Sequence, residues 1–206
     1  MEEEDKSRNL IRRLLDQANQ YNDISNVGEI ARRYFVMNAF DGILTIIGVL
    51  MGNIAAGVTN PHIVITTGLS TSIAMGISGL WGSYLTESAE RKHDLAELSR
   101  STLSDLNDSR IGRASRYAAV IVSIVDGVSP FLAALLVLTP FFMYGMFPNI
   151  QIVYYTTLGL ALVTLFALGV FLGNISKENL LISGIKTAIA GIASIIISSL
   201  LNGNPH

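Results

Sequence analysis

The chain has 206 residues, half of them hydrophobic and 15% charged, with 14 Lys and Arg against 16 Asp and Glu. This is too apolar for an ordinary soluble domain, and the absence of cysteine excludes disulfides and thiolate metal ligands. No basic patch with interleaved aromatics points to nucleic acid, and the net charge of −2 singles out no partner.

Residues 1–33 alternate acidic and basic groups and contain no apolar core of a signal peptide, so the first span is expected to act as its own targeting signal. Within them Leu10, Ile11, Leu14, Leu15 and Ala18 recur at helical spacing, with Arg8, Arg12, Arg13 and Asp16 on the other face. That predicts a cytoplasmic amphipathic segment that lies on the inner leaflet or packs on the protein's own cytoplasmic loop. Residues 34–206 form the second region. A bilayer-crossing helix needs about 20 mostly apolar residues, and five segments reach that length: Tyr34–Val58, His62–Leu85, Tyr117–Phe147, Gln151–Ile175 and Leu180–Leu201. The third carries Pro130 and Pro140 and is expected to kink, or to end near Pro140. The fold class is therefore an all-α integral membrane protein with five transmembrane helices and a short cytoplasmic helical insert, residues 87–116, between spans two and three.

The basic residues give an orientation. They fall before the first span, in the insert (Arg91, Lys92, Arg100, Arg110, Arg113, Arg116) and near the fifth span (Lys177, Lys186), while the turns near 59–62 and 147–150 have none. Basic residues stay on the cytoplasmic side, so the N-terminus is expected in the cytoplasm and the C-terminus on the opposite side. A parallel repeat is also suggested: Phe40-Asp41-Gly42-Ile43 is similar to Val125-Asp126-Gly127-Val128, and Gly82 with Glu87 to Gly173 with Glu178.

Three charges fall inside the apolar spans: Asp41, Asp126 and Lys186. Each costs about 2.5–3.5 kcal/mol to insert, which makes it a candidate functional residue. The functional reading is that Asp41 and Asp126 bind and release a cation or proton, with Lys186 as a counter-ion or snorkelling to the interface. The structural reading is an Asp–Lys186 pair that fixes packing. Asn38 and Asn53 offer amide oxygens near Asp41, and Met75 a soft thioether suited to iron or manganese. Gly48 and Gly52, and Gly76, Gly79 and Gly82, permit close helix approach in spans one and two.

Beyond the second span, Glu87, Glu90, Asp94 and Glu97 follow at intervals of three, four and three, one acidic stripe with His93 beside it. Such oxygens attract divalent cations, particularly if a second subunit mirrors them. Interleaved Arg91, Lys92 and Arg100 also fit a solvated face held by i,i+4 pairs. No GxSxG, glycine-rich phosphate loop or His cluster supports an enzyme.

The run Met37-Asn38-Ala39-Phe40-Asp41-Gly42-Ile43-Leu44-Thr45, followed by Gly48-Val49 and Gly52, resembles the first-span signature of the vacuolar iron transporter family. Ser78-Gly79-Leu80-Trp81-Gly82-Ser83-Tyr84-Leu85-Thr86 is similar to that family's Ser-Met-Ala-x-Gly-Glu-Tyr-x-Ser, and Ser129-Pro130-Phe131 and Thr139-Pro140-Phe141 to its proline-bearing third span. The resemblance implies five spans, a cytoplasmic N-terminus, and homodimers that exchange ferrous iron or manganese for protons along a path between subunits. It implies Asp41 as translocation carboxylate and Glu87 and Glu90 among the metal-capturing acids. Gly79 and Ser83 stand where the family has Met and Glu, and the insert is shorter and lacks methionine; Met75 and Asp126 would compensate. The expectation is a proton-coupled Fe²⁺ or Mn²⁺ exporter, not an enzyme and without a resident cofactor. Its path would be lined by Asp41, Asn38, Met75 and Asp126, and its metal-attracting stripe would comprise Glu87, Glu90, Asp94 and Glu97. The alternatives are a non-transporting assembly or regulatory membrane protein, or a transporter of a different cation.

Overall fold

The structure, a computed structural model, describes residues 27–202. The amphipathic segment read between Leu10 and Ala18 lies outside the described residues. The described residues form five long helices and no strand: α1 (Val27–Ala55), α2 (Pro61–Thr102), α3 (Arg110–Phe142), α4 (Ile150–Ser176) and α5 (Leu180–Asn202), with a 3₁₀ turn at Tyr144–Met146. Each helix contains a stretch long and apolar enough to cross a bilayer, the arrangement of an all-α integral membrane protein with five spans.

Local chemistry sets the helix ends. Asn60, Ser109, Asn149 and Asn179 stand before α2, α3, α4 and α5, and each side-chain oxygen accepts a backbone N–H of the first turn, from His62, Gly112, Ile152 and Leu181 respectively. Pro61 follows Asn60, at a position that needs no donor. At the far end of α1, Gly57 takes a φ of +67° and the Val58 N–H returns to the Asn53 carbonyl, so the helix stops at Ala55, short of the expected Val58. Its start is earlier than expected, because residues 27–33 already form its first turns.

α2 runs through its apolar span into the insert as one helix of 42 residues, as its periodicity suggests. The insert is thus the end of α2, a turn and the start of α3. In α3 both Pro130 and Pro140 are accommodated within the helix, which ends two residues after Pro140; each proline removes one backbone donor. The proposed repeat fails at its second element. The Lys177 and Glu178 N–H groups both fold back on the Gly173 carbonyl and end α4, whereas Gly82 and Glu87 lie within the uninterrupted α2.

The chain divides into two compact units, and α1, α2 and α3 each run through both. One unit combines the beginning of α1 up to Tyr34 with Gly79–Asp126, around Val27, Ala118 and Val122. The other combines Phe35–Ser78 with the chain from Gly127 onward. Its core is built from the buried faces of α1, α3 and α4, including Ile43, Ile46, Ile47, Leu50, Val137, Phe141 and Leu165. Phe141 and Tyr154 meet edge to face with centroids 5.0 Å apart, and the Tyr154 hydroxyl donates to the Val58 carbonyl at 3.0 Å.

α4 and α5 pack through small residues. A Cβ built on Gly169 would lie 2.5 Å from the Ser183 carbonyl oxygen, so only glycine lets the backbones come this near. The Thr187 hydroxyl reaches across to the Leu165 carbonyl at 2.8 Å. Thr187→Val should lower stability by about 0.6 kcal/mol, the usual worth of such a bond between membrane helices; unfolding by titration with a denaturing detergent measures it.

Candidate functional site

Asp41 lies midway along α1, in the second unit, and its side chain is exposed. Asp41, Thr45, Gly48 and Gly52 are spaced by four, three and four, so they line one face of the helix. Side-chain positions at Gly48 and Gly52 would meet nothing within 4 Å. Asp41 has no ion-pair partner among the described residues.

The neighbouring Gly42 faces a different situation. A Cβ there would lie 2.6 Å from the Pro130 carbonyl oxygen and 2.7 Å from the Pro130 Cα. The Asp-Gly pair therefore divides its work: Gly42 allows the α1 backbone to lie directly on α3, and Asp41 is left outward. Composition alone did not assign Gly42 this role, and only the α1–α3 contact reveals it. Asn38, one turn before Asp41, and Met75 of α2 are both half-buried.

Asp126 shares the Asp-Gly sequence and has a contrasting environment, being 8% exposed within the first unit. In that unit the Tyr34 hydroxyl donates to Glu87 Oε1 at 3.0 Å and Arg91 Nε donates to Glu87 Oε2 at 3.0 Å. The Arg91 contact is an i,i+4 pair of the kind the acidic-basic pattern suggested. Asp126 is close enough for its charge to act on Tyr34. Glu87 is thus a half-buried carboxylate with both oxygens engaged, and Tyr34, which sequence reasoning treated only as the start of a span, is its long-range partner. Tyr34→Phe should cost about 1 kcal/mol, the net worth of one hydrogen bond, read as a lowered midpoint in thermal unfolding.

One turn before Glu87, the Ser83 hydroxyl oxygen is buried and has no hydrogen-bond partner among the described residues. Glu90, Asp94 and Glu97 are exposed along the same helix. From Glu87 to Glu97 the stripe spans about 15 Å at 1.5 Å per residue, too long for one ion to meet all four carboxylates. Among the described residues no three His, Asp or Glu side chains gather at a single point.

Among the described residues Lys186 makes no ion pair with Asp41 or Asp126. Its ammonium is 3.9 Å from the Glu178 carboxylate, with the two side chains 68% and 58% exposed. Glu178 stands in the turn before α5 and Lys186 within the helix, and the long lysine stem carries the charge back toward the helix start, a snorkelling arrangement that contributes little to stability. A cavity of about 190 Å³ at the ends of α1 and α4, lined by residues such as Ile54, Val58, Gln151 and Tyr154, holds no Asp, Glu, Lys, Arg or His. It lies some 13 residues along α1 from Asp41, about 20 Å at helical rise, and is not part of the acidic site.

Residues 32–115, from the beginning of α1 through the acidic helix to the start of α3, match the model of the VIT family. An uncharacterized protein of Methanocaldococcus jannaschii is 33% identical over 177 residues, which cover 84% of this chain and 90% of that protein. The match takes in Asp41, Met75 and the whole acidic stripe. The chain belongs to the VIT family, and is accordingly a multi-pass membrane protein of a metal-ion transporter family.

Proposed function

We propose that this protein exports Fe²⁺ or Mn²⁺ from the cytoplasm in exchange for protons, as a homodimer whose two Asp41 carboxylates face a common path. The observation that carries the reading is a carboxylate exposed in the middle of an apolar span, with no ion-pair partner among the described residues, beside an open glycine stripe. Leaving such a group against lipid costs about 2.5–3.5 kcal/mol, and intramembrane acids face a protein interior or a water-filled path. A second copy of α1, approaching over Gly48 and Gly52, supplies that environment. The N-terminus and insert face the cytoplasm and the C-terminus the other side, by the distribution of basic residues.

In this mechanism Asp41 binds the metal as a carboxylate and releases it when protonated from the far side. Two Asp41 groups take two protons for each divalent ion, so the exchange moves no net charge. Asn38 contributes an amide oxygen and Met75 a thioether that favours iron and manganese over magnesium; Asp126 adds negative charge. The Glu87–Glu97 stripe concentrates cations at the cytoplasmic mouth. Glu87 takes part by exchanging Arg91 for a metal ion, and the Ser83 oxygen, without a hydrogen-bond partner among the described residues, lies one turn deeper.

The test is metal uptake by liposomes holding the purified protein, with and without an imposed pH gradient, for Fe²⁺, Mn²⁺, Mg²⁺ and Na⁺. Gradient-dependent uptake of Fe²⁺ or Mn²⁺ is the expected result. Uptake of Na⁺ alone would identify a transporter of a different cation, and none at all a non-transporting protein.

A further inference from the structure

The first unit contains a polar depression of about 160 Å³ between α2 and α3, which shares Arg91 with the acidic stripe and has no assigned role. Its polar lining comprises Ser88, Arg91, Lys92, Asn107, Ser115 and Arg116, three cations and no carboxylate, and Leu95 and Ala119 form an apolar wall. At about 30 Å³ per water the space equals roughly five waters, room for a phosphate group. The Arg91 Nε is taken by Glu87 and an Arg116 Nη by the Asn107 carbonyl at 3.1 Å. These contacts hold both guanidinium groups in place while their remaining N–H donors have no partner among the described residues, an arrangement suited to phosphate oxygens.

The depth of the depression is informative. Arg91 and Lys92 are the first cations after the apolar stretch of α2, and Arg116 is the last before that of α3. The three cations therefore stand where the apolar spans give way to the polar insert, at the level of lipid headgroups. Basic pockets between membrane helices at that level are suited to phosphate-bearing headgroups.

We propose that the Arg91–Lys92–Arg116 depression binds a phosphate group, carried by an anionic membrane lipid or by a soluble phosphate. The site depends on the membrane placement of α2 and α3, not on metal transport, so a protein that failed to transport metal would still bind there.

The test uses the full chain in neutral detergent. Native mass spectrometry measures binding of phosphatidylglycerol and phosphatidylcholine, and thermal unfolding measures the response to inorganic phosphate. The comparison sets Lys92→Gln/Arg116→Gln against Arg110→Gln/Arg113→Gln, which removes the same charge from residues outside the depression. Phosphatidylglycerol bound in preference to phosphatidylcholine, with affinity falling roughly tenfold in the first pair and under about twofold in the second, is expected for a lipid headgroup. Stabilisation by inorganic phosphate with the same pattern of loss identifies a soluble anion. Equal loss in both pairs would reduce the effect to general surface charge. No lipid preference together with no response to phosphate would also overturn the proposal. Because Arg116 holds the Asn107 carbonyl, Lys92→Gln alone, with an expected loss of about threefold, decides the matter if the double variant does not fold.

Discussion

Replacing Asp41 with asparagine is expected to reduce gradient-driven metal uptake to the level of protein-free liposomes, in a protein that remains folded. Asparagine has nearly the size of aspartate and keeps one oxygen, but it carries neither the negative charge that holds a divalent ion nor the exchangeable proton that releases it. Asp41 is exposed and has no ion-pair partner among the described residues, so the change breaks no salt bridge. It also removes a charge that costs about 2.5–3.5 kcal/mol to hold within a bilayer. Stability should therefore be unchanged or raised while transport is lost. Measuring both quantities on one preparation separates this account from a structural one, in which Asp41→Asn would lower the unfolding midpoint and leave transport near the wild-type rate.

The second large effect is expected at the next residue. Gly42→Ala places a methyl group 2.6 Å from the Pro130 carbonyl oxygen and 2.7 Å from its Cα. Backbone atoms cannot rotate aside as a side chain can, so α1 and α3 must separate. Overpacking of this kind costs about 1–3 kcal/mol, and it displaces Asp41 as well. Gly48→Ala is the informative control, because its new methyl group meets nothing within 4 Å in one chain. A detergent titration should show Gly42→Ala unfolding earlier than wild type and Gly48→Ala unfolding with it. Loss of the dimer by Gly48→Ala, observed by cross-linking in membranes, would assign that open stripe to the subunit contact; a dimer untouched by the methyl group would move the contact elsewhere.

Much of this fold is written locally. Five apolar stretches of sufficient length give five helices, and four side chains with the right oxygen, Asn60, Ser109, Asn149 and Asn179, mark where four of them begin. The continuation of α2 into the insert follows from the helical spacing of its carboxylates. What the sequence could not convey are contacts between residues far apart along the chain. Tyr34 and Glu87 are separated by 53 positions, and nothing local joins them. The Gly173–Glu178 pair looked like a copy of Gly82–Glu87, but spacing alone cannot distinguish a helix terminus from a helix interior. The depth of Lys186 in the span is compatible with either a counter-ion or a snorkelling cation, and its contact with Glu178 becomes visible only when the reach of the side chain is known.

The same distinction applies to the site. Asp41 stood out because any carboxylate in an apolar span does, whereas its exposure beside two open glycines required the packing of α1 to be known. The acidic stripe was visible as a pattern, but the engagement of Glu87 by Tyr34 and Arg91 was not.

The most direct measurement is the ratio of protons to metal ions moved by the wild-type protein, recorded together in one liposome preparation with a pH-sensitive and a metal-sensitive dye inside. Exchange at about two protons per Fe²⁺ or Mn²⁺, insensitive to an imposed membrane potential, is the result expected from two Asp41 carboxylates each taking one proton. Metal movement with no accompanying proton flux, or flux driven by the potential alone, would contradict it.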